Sequence, residues 1–213
     1  NLALSGTAVD TLTNVRATAI GAQAGWYSEG TLDCVFFGQA AGQGSSSTVR
    51  NTGDENTFIG SRAGLSVTSG DNNTAVGRDA LKSAFGSELT GNNNVAIGHS
   101  ALNNTATTAN NNTVVGASAG LNISTGVGNV IAGFNAGPTT NQSNQLFINN
   151  VESDTPLIGG NFVAGSESVV INGVLNIQHA VGSPATNAEI HLLDTINSAT
   201  TILRNAPLTG SPV

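Results

Sequence analysis

A chain of 213 residues has room for one extended or two modest domains. Its net charge of −7 and pI near 4.6 argue against nucleic acid, which needs a basic face, and no apolar run approaches the ~18 residues of a membrane span. Only 9% of residues are charged and 4% aromatic, yet 38% are apolar and periodically placed, so the composition reads as folded and rich in small side chains rather than disordered.

In chain order, residues 1–16 read as a leading strand and connector. No signal peptide is visible, and a start at Asn1 rather than Met fits a processed product or part of a longer polypeptide. Residues 17–138 carry one phrase seven times, its clearest copy being NNNVAIGHSAL (92–102). The phrase centres on Gly21, Gly38, Gly60, Gly77, Gly98, Gly116 and Gly133, spaced by 17, 22, 17, 21, 18 and 17 residues. Repetition at so short a period is the signature of a solenoid.

Three residues before each glycine stands Thr18, Val35, Thr57, Thr74, Val95, Thr113 or Val130, and immediately before it Ile20, Phe37, Ile59, Val76, Ile97, Val115 or Ala132. Strand side chains alternate, so these two positions share a face. The position between them points the other way and is also apolar. A strand apolar on both faces is expected to be covered on both: one face lines the coil, and a partner chain is the simplest cover for the other. Thin cores of Ala, Val and Ile are marginal for a lone solenoid, which again points to oligomerisation.

Alanine follows each glycine by three residues, at Ala24, Ala41, Ala63, Ala80, Ala101, Ala119 and Ala136. A slot that takes only a methyl group predicts close approach between coils or chains. Asn56, Asn73, Asn94, Asn112 and Asn129 precede their glycines by four residues, where Asn suits a left-handed turn. Stacked coils would place their amides about 4.8 Å apart, in a hydrogen-bonded ladder. Calcium ligation by this row is the weaker alternative, since neither calcium-loop pattern is present. Cys34 occupies the same slot as a small buried side chain. The two residues after each glycine vary and mark the outer surface; there Arg62 and Asp79 are expected to stack as an exposed pair.

The spacer Gln43–Glu55 and the insert Lys82–Gly91 are expected to bulge as loops. Trp26 and Tyr27 follow the first phrase, capping the end of the core or, less favoured, binding sugar; Phe134 is a further candidate for surface recognition. Residues 139–181 read as a β-rich cap with strands in NQLFINN, TPLIGGNF and SVVINGVLNI, and Asn172-Gly173 is a hairpin signal. Within 182–213, Thr186 and Glu189 match a capping box for a short helix over about 187–199, whose apolar stripe three copies would bury; an extended tail follows.

Chemistry-bearing groups are sparse. The close acidic pairs are Asp54/Glu55 and Glu152/Asp154, and His99, His179 and His191 lack ligand spacing. Gly159-Gly160 lacks the lysine and helix of a phosphate loop. The expectation is therefore no catalytic residue, no metal and no cofactor.

The phrases NTAVGRDAL and NNVAIGHSAL resemble head repeats of trimeric autotransporter adhesins. They are more similar to the asparagine-rich repeats in tail fibres and spikes of bacteriophages and other large DNA viruses. QLFINN, TPLIGGNF and VVINGVLNI resemble the segment that follows such repeats, often ahead of an intramolecular chaperone domain, and APLTGSP resembles a fibre linker. The repeats and the segment after them carry the resemblance over residues 14–177. It implies a homotrimeric, β-rich fibre on the virion surface that attaches to host cells, with other virion or fibre proteins and a host cell-surface glycan or protein as partners. This chain departs from the adhesin pattern in its longer, less regular repeats, and it shows neither a membrane anchor nor a chaperone domain. The fold expected is all-β: a β-solenoid (β-roll or β-helix) in an intertwined homotrimer, with a β-rich cap and a short C-terminal helix. A bacterial surface adhesin or extracellular filament subunit, and a polysaccharide-degrading spike, are the rival expectations.

Overall fold

Ten strands form one sheet in strict sequence order. The computed structural model describes residues 16–83, 88–103 and 108–173; residues 1–15 of the connector and the expected helix near 187–199 lie outside them. The chain divides into the units Asn1–Leu175 and Asn176–Val213, and every described residue belongs to the first.

The glycine phrases supply β1 (Arg16–Ile20), β2 (Leu32–Phe37), β3 (Thr57–Ile59), β4 (Thr74–Val76), β5 (Val95–Ile97), β6 (Thr113–Val115) and β7 (Val130–Ala132). Each pairs in parallel with the next, and β8 (Gln145–Ile148) adds an eighth parallel rung beyond the last phrase. Antiparallel β9 (Ile158–Asn161) and β10 (Ser168–Ile171) close the sheet. Their connection runs through residues 162–167, with Gly165 at φ +80°. Asn172-Gly173 therefore follows β10 instead of turning the hairpin, and the Asn172 N–H donates to Leu157 O at 2.9 Å. The described chain is an all-β solenoid.

A representative coil shows the construction. The Gly77 N–H donates to Ile59 O one coil earlier (2.8 Å), Asp79 N–H to Ser61 O (3.0 Å), and Thr74 N–H to Asn94 O one coil later (2.8 Å). The far side of the coils is tied by isolated bridges such as Val67 with Leu89 and Asn110 with Val127. Backbone groups thus find their partners in neighbouring coils, which is what lets so polar a chain bury its main chain. The glycines stack in a column: a Cβ on Gly77 would lie 2.6 Å from Gly98 O. With φ at +130°, this corner also needs glycine for its conformation.

Inside the coils runs a core about one side chain wide. The middle strand residues Phe36, Phe58, Ala75, Ala96, Val114, Ile131 and Phe147 are buried, and Phe36 stacks on Phe58 with centroids 5.7 Å apart. Size alternates across this core. Where the middle residue is Phe58, the residue four past the glycine is Gly64, and a Cβ there would meet the Phe58 ring at 2.5 Å. Where it is Ala75 or Ala96, the same slot holds buried Leu81 or Leu102. Leu81 (φ 49°) and Leu102 (φ 50°) hold a backbone that usually favours glycine, so core filling outweighs a strain of about 1–2 kcal/mol.

The invariant alanines lie in this interior. Ala41, Ala63, Ala80, Ala101 and Ala119 are wholly buried within one chain, and Ala24, in the first coil, is half-buried.

Several local expectations are corrected. The left-handed turn residue falls five before the glycine (Asp33, Glu55, Asn72, Asn93, Asn111, Gly128; φ 56–70°), one position earlier than the buried Asn row. The residues two past the glycine, from Gln23 to Asn135, are left-handed as well (φ 51–60°), and Ala40 and Asp79 among them are buried; only the slot directly after the glycine faces consistently outward or half outward. Gln43–Glu55 is mostly integrated. Gln43, Gly44, Ser45, Asn51 and Gly53 are buried, and Ser47, Thr48, Thr52 and Glu55 are exposed. In the other insert, Leu89 is a core residue, while 84–87 lie outside the described residues.

Candidate interaction surfaces

The outward strand face presents the clearest candidate. Ile20, Phe37, Ile59, Val76, Ile97, Val115, Ala132 and Ile148 are paired in register down the sheet. All are exposed or half-exposed, reaching 53% at Phe37. Beside them runs the row Thr18, Val35, Thr57, Thr74, Val95, Thr113 and Val130, also partly open. Parallel strands are normally covered on both faces, and a continuous apolar strip of this extent marks an interaction surface. Among the described residues of one chain nothing covers it.

The asparagine row builds the adjacent corner. Asn56, Asn73, Asn94, Asn112 and Asn129 are fully buried. Each Oδ1 accepts the backbone N–H of the equivalent residue in the next coil: Asn73 donates to Asn56 at 2.9 Å, Asn112 to Asn94 at 3.1 Å, and Gln145 to Asn129 at 3.0 Å. Each Nδ2 donates to a carbonyl, at 2.7–2.9 Å, from Gly70, Gly91, Ala109, Gly126 and Gln142 in turn. These amides are structural and saturated. Cys34 heads the row: its Sγ accepts from Asn56 N–H at 3.4 Å, and burial pushes the thiol pKa up.

A second side-chain row was not foreseen. Six residues before the glycine, Asp54, Asp71, Asn92 and Asn110 accept a backbone N–H from the preceding coil: Leu32 donates to Asp54 at 2.7 Å, and Asp54 to Asp71 at 2.8 Å. Asp71 in turn donates to Asn92 and Asn92 to Asn110, at 2.7 and 2.8 Å. It runs opposite in sense to the buried row. The signal was legible, since four of the seven copies carry Asp or Asn there.

Arg62 and Asp79 do stack, with Nη2 to Oδ2 at 2.6 Å, but not as an exposed pair: the Asp79 side chain is 6% exposed. Arg78 and Lys82 converge on the same carboxylate. Burial opposes the charge on Asp79, but the Arg62 hydrogen bond and the nearby Lys82 and Arg62 charges together outweigh it, and the pKa lies below the ordinary carboxylate value. Asp33 pairs with Arg16 and Asp154 with Thr139, so every described aspartate is engaged in holding backbone or side chains. Glu152 forms a bridge with Gly137, and Glu55 sits in a turn.

The remaining candidates are scattered. Trp26 and Tyr27 stack on each other, with centroids 4.9 Å apart, at the end of the first coil, both half-buried. Phe134 stands 64% exposed near the other end. His99 is exposed, while His179 and His191 lie outside the described residues. Gly159 and Gly160 pair with β8 and β10, lining a cleft of about 280 Å³ with Gln142, Asp154 and Asn172. Among the described residues, no three His, Cys, Asp or Glu gather as a metal site, and no helix is long and apolar enough to cross a membrane.

Comparison with protein-family models, curated proteins and solved structures gives no match.

Proposed function

We propose that this chain is a structural segment of a virion fibre or spike, a homotrimeric β-solenoid used for attachment to the host surface. The observation that carries the reading is the apolar strip from Ile20 to Ile148, which three copies packed about a common axis would remove from water. Burial of apolar surface contributes about 25 cal/mol per Å², and rows of Val, Ile and Phe in strict register repeat that gain at each rung. The resemblance of NTAVGRDAL and NNVAIGHSAL to asparagine-rich fibre repeats supplies the virion setting. Stacked coils with saturated side-chain rows supply stiffness, and the variable slot after each glycine supplies an outer surface that changes without disturbing the core. Catalysis has no part in this reading.

The test is localisation. Gold-labelled antibody against the purified chain is expected to decorate projections on virus particles, and soluble chain is expected to reduce adsorption to host cells. Labelling of an uninfected bacterial surface would replace the reading with the adhesin one. Release of oligosaccharide from host glycan by the purified chain would replace it with a degrading spike.

A further inference from the structure

Three of the six Lys and Arg side chains of this acidic protein meet at one carboxylate. Arg62 and Arg78 reach Asp79 Oδ2 at 2.6 and 3.0 Å, and Lys82 Nζ lies 3.4 Å from Oδ1. The acid is buried, whereas the Arg78 side chain is 62% exposed. One carboxylate offsets one of three cations, and among the described residues no other acid pairs with them. Two positive charges are left at the surface of a chain whose overall charge is −7.

The arrangement is preorganised for a ligand. Arg78 engages Asp79 through Nε, which anchors the guanidinium and leaves its outer edge free for a second oxyanion. Arg78 also stands in the outward column directly after the glycines, with Gln39 and Ser61 on the coils before it and His99 on the coil after it. Ser61 Oγ donates to Gln39 Oε1 at 3.3 Å, so hydroxyl, amide and imidazole groups line up beside the cations at the sheet spacing.

We propose that this patch binds an acidic polysaccharide. A carboxylate or sulfate of the polymer would sit on Arg78 and Lys82, and sugar hydroxyls would lie along Gln39, Ser61 and His99. Two uncompensated charges are too few for nucleic acid, whose binders neutralise about 6–10 phosphates. The surface is open along the column, which suits a polymer chain better than a small enclosed anion. The proposal rests on the fibre reading only for where such a polymer would be met; binding itself is a property of the purified chain.

The experiment is calorimetric titration of the full chain with polygalacturonate, dextran sulfate and unmodified dextran at low and at physiological salt. Both anionic polymers are expected to bind and dextran is not. Arg78→Ala combined with Lys82→Ala should weaken binding at least about tenfold, the loss of one or more charge-assisted hydrogen bonds, with unchanged mass and circular dichroism. Arg78→Gln, which keeps the stem, serves if the double variant does not fold, and should weaken binding in the same direction. Failure of both anionic polymers to bind, equal binding of dextran, undiminished binding by the variants, or a changed mass in them would each overturn the proposal. A monomer that still binds the anionic polymers would remove the trimeric fibre reading alone, and a trimer that binds none would remove the patch alone.

Discussion

The side-chain oxygen of Asn94 accepts two hydrogen bonds from Asn112, one from its backbone N–H and one from its Nδ2, each 3.1 Å long. The Asn94 amide nitrogen meanwhile donates to Ala109 O at 2.7 Å. One buried side chain therefore satisfies groups in two places, and neither can turn to water instead.

Asn94→Ala leaves the buried Asn112 backbone N–H without its acceptor, while Asn112 Nδ2 keeps Asn110 O and Gly126 O. A buried unsatisfied donor costs about 1–3 kcal/mol, so a loss of about that size is expected, read as a lower urea midpoint at fixed protein concentration. Cys34→Asn should act oppositely. An amide there can accept from Asn56 N–H and donate to Gly53 O, extending the row by one rung for a gain of about 1 kcal/mol, or roughly 2–4 °C in melting temperature. A fall in stability would show that the thiol is preferred at the head of the row.

The alternation of large and small across the core predicts compensation. Phe58→Ala should cost about 3–5 kcal/mol by opening a cavity. Adding Gly64→Leu recreates the pairing of Ala75 with Leu81 and should recover part of that loss, while Gly64→Leu alone collides with the Phe58 ring. Chemical denaturation of the three variants gives the coupling directly, and additive losses would contradict the pairing.

Gly77→Ala places a methyl group 2.6 Å from Gly98 O, in backbone that cannot move without shifting the next coil. Soluble expression and melting temperature should both fall sharply. By contrast, His99→Ala in the outward slot should change stability by less than about 0.5 kcal/mol.

Asp33, Asp79 and Asp154 all have pKa values lowered in the folded chain. For Asp33 the Arg16 hydrogen bond leads; for Asp79 the pull of Arg62 and Lys82 exceeds the opposing effect of burial; for Asp154 the two Thr139 hydrogen bonds lead. A depressed carboxylate pKa stabilises above the unfolded value and loses that contribution as pH falls through the folded one. Melting temperature should therefore hold from pH 7 down to near the ordinary aspartate value of 3.8 and decline below it. In Asp79→Asn the decline should be shallower, and stability at pH 7 lower, because Arg62, Arg78 and Lys82 lose the carboxylate between them.

Cys34 should resist thiol reagents in the folded protein and react promptly in denaturant, because its thiol is buried and its pKa raised. Equal rates in the two states would show that the coil carrying β2 opens readily.

The repeat made the solenoid legible, because each glycine, alanine and asparagine answers one recurring steric or hydrogen-bonding need. The stacking of Arg62 on Asp79 followed from their shared slot, and the asparagine ladder from the spacing of rungs. Burial of Asp79 did not follow, since nothing in one copy shows that Arg78 and Lys82 close over it. The left-handed residues two past each glycine were illegible for a related reason. Gln23, Ala40, Arg62 and Ser118 are not residues that announce such a conformation; the coil closure imposes it. Which strand face turned inward was likewise open, because Phe37 and Ile59 are as apolar as Phe36 and Phe58; the glycines and alanines around Phe36 and Phe58 decide it by leaving room for their rings.

Sedimentation equilibrium on the full chain at micromolar concentration tests the role of the exposed strip most directly. A particle of three times 21.2 kDa is expected, and Ile97→Asp should break it into folded monomers. A stable monomer of 21.2 kDa, with Phe37 and Ile97 left open to water, would contradict it.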